Sequence, residues 1–180
     1  MKILILVLII TNLFLLAKML KYRKASLHDE FTTLPNYRAL NKYLKKNINR
    51  SLKIAIIDID NFKKFNKISI RKGDEVLKEF SDILKHHLSE KAFIARYRFG
   101  DEFALVFNSD YEADNELNNL KDFLKTYYLK SLPEMPDYRI GFSFGISFHE
   151  KEDIKFSKLL ENAELMLAMK KKENNHKNVL

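Results

Sequence analysis

A short apolar run that ends in a pair of aspartates is the feature that most constrains the fold of this chain. Residues 51–57 are rich in isoleucine and predict a buried strand, and Asp58-Ile59-Asp60 follows directly. Because side chains alternate along a strand, Asp58 and Asp60 are expected to point to the same face. Acidic residues at a strand end usually act as solvated caps or ion-pair partners, so this segment alone does not indicate a site.

A second acidic segment, Gly100-Asp101-Glu102, lies about forty residues further along the chain. It separates two strand-like runs, residues 92–98 and 103–107, and its Gly-Asp core favours a tight hairpin turn. If this hairpin meets the end of the first strand, the two acidic segments could together hold divalent metal ions against a nucleoside triphosphate.

The positions of the glycines support a geometric role for acidic segments of this kind. The chain has only 4 glycines, and two of them, Gly73 and Gly100, directly precede an acidic pair. Glycine is required where φ is positive or where a ligand approaches the backbone closely. We therefore expect both glycines to lie in turns or beside a ligand.

Length and composition limit the chain to one domain with a short additional segment. The 180 residues, 46% of them hydrophobic, are sufficient for a substantial core. The chain has no cysteine, which excludes disulfides and cysteine-based zinc sites, and its five histidines show no metal-ligand spacing.

The net charge of +8 is concentrated at the two termini. Residues 1–24 carry +5 and residues 170–180 carry +3, so the residues between them are neutral overall. A nucleic-acid-binding domain is expected to carry its positive charge on a folded face. This distribution therefore argues against a nucleic-acid partner.

The N-terminus is almost continuously apolar over residues 3–17. The run is slightly shorter than the roughly 20 residues of a typical spanning helix, and a secretory signal is the alternative. Because basic residues follow the run, we expect a single-pass anchor in the inner (cytoplasmic) membrane over residues 1–20, a linker over 21–28 and a cytoplasmic domain over 29–180. Since only two residues would precede the apolar run, any sensor is expected to be a separate membrane partner.

Hydrophobic periodicity and turn residues predict an initial helix followed by the order β-α-α-β-β-α-β-α. The predicted helices are residues 35–48, 61–68, 74–88, 114–128 and 156–172, and the predicted strands are residues 51–57, 92–98, 103–107 and 138–148. This order is typical of a ferredoxin-like, palm-type α/β sandwich.

Five motifs in order make the chain, from about Asp29 to its C-terminus, similar to the GGDEF domain, the catalytic module of diguanylate cyclases. DEFTTLPNYR at residues 29–38 resembles D-x-L-T-G-L-P-N-R-R, and DIDNFKKFN at residues 58–66 resembles D-x-D-x-F-K-x-x-N. GDEVL at residues 73–77 matches the G-D-x-x-L that opens a helix in the family. FGDEF at residues 99–103 is the signature itself, and SFGIS at residues 143–147 with Ala163-Glu164 resembles the closing S-x-G strand and A-D helix.

The resemblance implies an enzyme that uses Mg²⁺ (or Mn²⁺) and condenses two GTP molecules to cyclic di-GMP within a homodimer. It implies metal ligation by Asp58, the Ile59 carbonyl and Asp101, and catalytic roles for Asp101 and Glu102. It also implies a GTP-binding set composed of Lys63, Asn66, Asp74, Gly100 and Lys171. In that set the two lysines are expected at the phosphates, and Asn66 and Asp74 at the guanine edge.

Departures from the family pattern keep other interpretations open. The family usually has two glycines before the acidic pair, whereas this chain has Phe99-Gly100. Either Phe99 replaces the first glycine, or one residue is deleted and Arg98-Phe99 fill the usual arginine-aromatic positions, which is the interpretation we favour. The family's inhibitory R-x-x-D pair is missing from residues 89–93. A catalytically degenerate domain that binds GTP or a partner, and another palm-type cyclase or polymerase, are the alternatives to an active diguanylate cyclase.

Overall fold

A computed structural model describes residues 2–47, 49–88, 90–98, 100–149 and 156–177. The helices are α1 (Lys2–Ala25), α2 (Tyr37–Lys46), α3 (Lys63–Ile68), α4 (Ile70–Leu88), α5 (Ala113–Thr126) and α6 (Phe156–Lys177). The strands are β1 (Leu52–Ile59), β2 (Ala92–Arg96), β3 (Glu102–Asn108) and β4 (Phe142–His149).

The four strands form one antiparallel sheet in the order β2-β3-β1-β4. Strand β1 is central and is covered on both faces, which explains its nearly continuous apolar sequence. Side chains of α4 and α5 pack with Ala55 and Ile57 on one face. Side chains of α2 and α6 pack with Ile54 and Ile56 on the other face. The predicted α/β sandwich is therefore confirmed.

Several element boundaries differ from those predicted. Strand β1 continues to Ile59, whereas β2 ends at Arg96 because Arg98 has a left-handed backbone, with φ of 52°. Strand β4 begins only at Phe142, after a turn in which the Tyr138 amide donates to the Met135 carbonyl.

Helix α4 begins at Ile70 and not at the predicted Asp74. Ser69 caps it, because its Oγ accepts a hydrogen bond from the Lys72 amide at 3.0 Å. Gly73 therefore lies inside the first turns of the helix, and the prediction that Gly73-Asp74 opens the helix is wrong.

The described apolar side chains of helix α1 are largely exposed. Its described large apolar side chains, from Ile5 to Met19, are 48–67% exposed. In the part of the chain that the structure describes, no helix combines the length and the apolar character needed to cross a membrane.

Candidate active site

Three acidic residues meet at one end of the sheet, where β1 ends beside the β2–β3 hairpin. In the β1–β3 register Asp58 lies opposite Glu102, so both side chains lie on one face. The Ile59 amide donates to the Asp101 carbonyl at 3.4 Å and joins the end of β1 to the hairpin turn. The predicted meeting of the two acidic segments is thus present in the fold.

Burial and mutual repulsion raise the pKa values of two of these carboxyl groups. For Asp101, burial is the largest cause and the charge of Asp58 is the next. For Glu102, burial again comes first, followed by the charges of Asp58 and Glu164. Such a cluster requires compensating cations, and Lys171 of α6 supplies one, since its Nζ lies 2.5 Å from Asp58 Oδ1.

The oxygen donors at this end of the sheet fit a hard divalent cation. In an antiparallel ladder the amide and the carbonyl of one residue point to the same neighbouring strand. Because the Ile59 amide points to the hairpin turn, its carbonyl is expected on that side too. Asp58, Asp101 and this carbonyl are hard oxygen ligands, and Mg²⁺ typically takes only a few of these from the protein. Among the described residues, no group of three or more His, Cys, Asp or Glu side chains is arranged to hold a metal ion.

Asp60 follows the last residue of β1. Its carboxylate accepts a hydrogen bond from Ser143 Oγ at 2.7 Å, and Ser143 pairs with Asp58 in the β1–β4 register. Asp60 is not among the charges named as raising the pKa of Asp101 or Glu102. The Asp60 amide donates to the Gly141 carbonyl, which fixes the chain leaving β1 against the start of β4.

Among the described residues of the hairpin, Arg98 and Gly100 have positive φ, at 52° and 98°. Glycine adopts this conformation without steric cost, as predicted for Gly100. Phe99, on which the choice between replacement and deletion depends, lies outside the described residues. The Tyr97 amide donates to the Glu102 carbonyl at 2.9 Å, so this pair closes the hairpin.

Arg96 is a site residue that the sequence did not single out. Its side chain is buried, with 7% exposure, and a guanidinium nitrogen donates to the Gly100 carbonyl. Burial lowers the pKa of Arg96, and the nearby carboxylates of Asp29 and Asp101 oppose that shift. Arg98, by contrast, is exposed, and which of the two arginines is buried depends on the register of the hairpin.

A cleft of about 380 Å³ adjoins the acidic end of the sheet, and it brings together three of the predicted GTP-binding residues. Asn66, Asp74 and Gly100 line it, together with Arg96 and the exposed ring of Phe31. Because Gly100 directly precedes Asp101, the cleft and the acidic cluster share the hairpin turn.

Gly73 shapes this cleft through close packing. A Cβ atom at Gly73 would collide with the side-chain oxygen of Asn66. The amide of Asn66 therefore rests against the backbone of α4 next to Asp74. This close approach is the role of Gly73, whose backbone is helical.

The two predicted phosphate-binding lysines lie in different surroundings. Lys171 reaches the acidic cluster through Asp58. Lys63 is exposed at the start of α3 and is not among the residues that line the described cleft. Among the described residues, Lys171 thus reaches the site, whereas Lys63 makes no contact with it.

Glu164 of α6 is a second residue whose contact the sequence did not predict. Its Oε1 accepts a hydrogen bond from the Tyr97 hydroxyl at 2.7 Å and lies 3.0 Å from Arg98 Nη1. The Ala163-Glu164 pair indicated a family motif in this part of α6, but the partners of Glu164 depend on how α6 crosses the sheet.

Comparison with known proteins identifies related sequences. The sequence model of the family described as diguanylate cyclase, GGDEF domain, matches residues 26–177. An uncharacterized membrane protein of Staphylococcus haemolyticus is 29% identical over 164 residues, which are 85% of this chain and 45% of that protein. The chain thus spans about half the length of the curated relatives it matches.

Solved structures share the fold. One is the coiled coil and GGDEF domain of DgcB from Caulobacter crescentus, in complex with c-di-GMP, with a TM-score of 0.79 at 22% identity. The match covers 91% of this chain and 90% of the DgcB chain. Another is the diguanylate cyclase SiaD of Pseudomonas aeruginosa, in complex with its activator SiaC, with a TM-score of 0.73 at 24% identity. The match covers 91% of this chain and 65% of the SiaD chain. At these identities the similarity shows the fold alone.

Proposed function

Because the chain belongs to the diguanylate cyclase GGDEF-domain family, we propose that it condenses two molecules of GTP to cyclic di-GMP and releases pyrophosphate. The observation that carries this proposal is that the cleft of Asn66 and Asp74 adjoins the acidic end of the sheet through Gly100. A nucleotide whose base occupies the cleft would direct its phosphates toward Asp58 and Asp101.

We assign the metal site to Asp58, the Ile59 carbonyl and Asp101. Bound Mg²⁺ or Mn²⁺ would neutralise the triphosphate and favour ionisation of the attacking 3′-hydroxyl. The crowding that raises the pKa of Asp101 is relieved when a cation joins the two carboxylates. Glu102, opposite Asp58, would serve as a further acidic ligand or assist removal of the hydroxyl proton.

We assign guanine recognition to Asn66 and Asp74. A carboxylate that accepts from N1–H and N2–H₂ selects guanine and excludes adenine, which lacks that pair of donors. Asp74 is half-buried and lines the cleft, as this role requires. Gly100 would let the nucleotide approach the backbone of the turn.

The phosphates require cations, and we assign this role to Lys171 and Lys63. Lys171 would exchange its contact with Asp58 for a contact with the triphosphate, since its ammonium already lies at the acidic cluster. Lys63 would have to reach the phosphates from the exposed start of α3, so its assignment rests on the family motif.

We further propose that two copies of the chain act as a homodimer at the cytoplasmic face of the inner membrane. Each domain has one cleft of this kind, and two phosphodiester bonds require two GTP molecules facing each other. The apolar residues 1–20 would anchor the chain, and a separate membrane protein would act as the sensor. The description of the staphylococcal relatives as membrane proteins supports this location.

A catalytically degenerate domain that binds GTP or a partner is the second candidate. The observation that favours it is the hairpin sequence, in which a phenylalanine precedes the single glycine of the signature. A changed turn could displace Asp101 while leaving the Asn66–Asp74 cleft able to bind GTP.

Incubation of the full chain with GTP and Mg²⁺, followed by mass spectrometry of the nucleotides, tests the proposal. Cyclic di-GMP should form, and Asp101→Asn should abolish its formation. GTP that binds but stays intact would select the degenerate domain, and no binding of GTP would refute the cyclase and leave only a degenerate domain that binds a partner. An Asp114→Asn variant, on the exposed start of α5, is the matched control.

A further inference from the structure

The catalytic hairpin is held from outside by one carboxylate of α6. Glu164 Oε1 contacts two consecutive hairpin residues, the Tyr97 hydroxyl at 2.7 Å and Arg98 Nη1 at 3.0 Å. Tyr97 is fully buried, whereas the side chains of Glu164 and Arg98 are 27% and 54% exposed. The contact therefore combines a shielded hydrogen bond with a partly exposed ion pair.

The turn depends on such an external contact because its own backbone is unfavourable. Arg98 has φ of 52°, a backbone conformation that residues other than glycine rarely adopt. Residues held in this region persist only when their surroundings fix them. The ion pair to Glu164 holds Arg98 from one side, and Arg96 holds the Gly100 carbonyl from the other.

Glu164 is itself rigidly positioned. The preceding residue, Ala163, is fully buried against the sheet. A Cβ atom at Gly145 of β4 would overlap the backbone of Ala163 and Leu167, so α6 lies in direct contact with the strand. A carboxylate on so closely packed a helix can fix the position of a turn.

Tyr97 transmits this constraint to the acidic residues. Its amide donates to the Glu102 carbonyl at 2.9 Å, and its ring packs edge-on against Tyr37 at 5.6 Å. Tyr97 thus contacts β3 through its amide, at the residue that follows Asp101, and α6 through its hydroxyl.

We propose that Glu164 is a positioning residue, which acts through Tyr97 and Arg98 to hold Asp101 and Glu102 where the reaction needs them. This inference rests on the proposed cyclase function. Asn66 and Asp74 lie on α3 and α4, away from the contact, although Arg98 and Gly100 of the turn also line the cleft. Loss of Glu164 should therefore lower kcat much more than it raises KM for GTP. Glu164 stands where the family motif has aspartate, and aspartate would be shorter by one carbon–carbon bond.

The test compares Glu164→Ala, Glu164→Gln and Tyr97→Phe in the full chain. We expect Glu164→Ala to lower kcat by about tenfold or more, with KM for GTP changed by less than about threefold. Glu164→Gln keeps an acceptor oxygen and should retain most of the activity. Tyr97→Phe removes one oxygen without changing the core, so it tests the contact even if Glu164→Ala folds poorly. Glu161→Ala, one turn earlier on the exposed face of α6, is the control.

Amide hydrogen exchange over residues 97–102 provides a readout independent of activity. Glu164→Ala and Tyr97→Phe should increase exchange there by about tenfold, while exchange in β1 stays unchanged. Wild-type kcat and wild-type exchange in both variants would overturn the proposal, as would a higher KM with unchanged kcat. If the wild-type chain makes no cyclic di-GMP, the proposed function fails, and the exchange data still decide whether Glu164 holds the hairpin.

Discussion

Thr33 shows how single residues of this chain carry backbone strain near the site. Its φ of 59° is in the left-handed region, where a β-branched residue is a clear outlier, and the family motif has glycine at this position. The Thr33 amide donates to the Asp29 carbonyl, and Lys85 Nζ contacts both the Thr32 carbonyl and Thr33 Oγ1. These contacts hold the loop that carries Asp29 and Phe31 in its strained form.

We predict that Thr33→Gly stabilises the fold. Relief of strain of about 1–3 kcal/mol outweighs the greater chain entropy of glycine and one exposed hydrogen bond. The net gain of about 1 kcal/mol should raise Tm by about 2–4 °C in thermal unfolding. Thr32→Gly is the control and should lower Tm, because the buried Thr32 hydroxyl donates to Asp29 Oδ1 at 2.7 Å.

Replacing Asp101 with a neutral residue should stabilise the folded chain by an amount that depends on pH. Burial and the charge of Asp58 raise the pKa of Asp101 in the folded chain, so folding favours its protonated form. The stability that protonation provides is lost as the pH rises through that pKa. Asp101→Asn should therefore raise Tm by a few degrees at pH 7 in the presence of a chelator. The gain should shrink as the pH falls toward the ordinary aspartate value; a gain that is constant with pH would contradict the account.

Asp74 should determine the choice of base. Asp74→Ala should weaken GTP binding by about tenfold or more, because a buried acceptor for two base donors contributes a few kcal/mol, whereas ATP binding should change little. Calorimetric titration of both nucleotides measures this difference. Asp82→Ala, two turns later on α4, should leave both affinities unchanged. Equal losses for GTP and ATP would show that Asp74 does not contact the base.

At the scale of elements, the junction of α3 and α4 determines the shape of the cleft. Asn66 lies against Gly73, so the two helices meet with a side-chain amide between them. Alanine in a helix interior is normally favoured over glycine by about 1 kcal/mol. At position 73 the collision with Asn66 opposes that gain.

We predict that Gly73→Ala weakens GTP binding by about tenfold while the chain remains folded, because the added methyl group displaces Asn66 from the cleft. Asn66→Ala should cause a similar loss, and the double variant should lose little more than either single variant. Circular dichroism checks the fold. Additive losses would show that the two residues act independently.

The strands and the hairpin were predictable from the sequence because their signals are local. The apolar run of β1 and the Gly-Asp turn placed Asp58 and Asp101 correctly at the ends of their elements. The start of α4 was misplaced because Gly73-Asp74 resembles a helix start, whereas Ser69 is the actual cap. The contacts of Lys171 and Glu164 were not predictable in detail, since they depend on how α6 packs across the sheet.

At the scale of the whole molecule, the account requires two chains. In the proposed reaction one cleft would hold one GTP, so catalysis should depend on self-association. An anchor that confines chains to a membrane would raise their effective concentration. Burial, register and electrostatics account for how one chain would form its half of the proposed dimeric site.

We predict that the specific activity of the detergent-solubilised full chain falls on dilution and recovers when the chain is reconstituted into vesicles. Added cyclic di-GMP should inhibit only in competition with GTP, because residues 89–93, ahead of the signature, lack the family's R-x-x-D pair. Specific activity that stays constant over a hundredfold dilution would argue against the dimer. Non-competitive inhibition by micromolar product would reveal a regulatory site outside the cleft.

The central claim is that GTP bound in the Asn66–Asp74 cleft reacts at Asp58 and Asp101 to give a cyclic dinucleotide. The most direct measurement is the ratio of pyrophosphate to cyclic di-GMP formed by the full chain from GTP and Mg²⁺, with Asp101→Asn as the blank. The account predicts two pyrophosphates for each cyclic di-GMP and neither product in the blank. Release of inorganic phosphate in place of pyrophosphate, or bound GTP that is recovered unchanged, would contradict it.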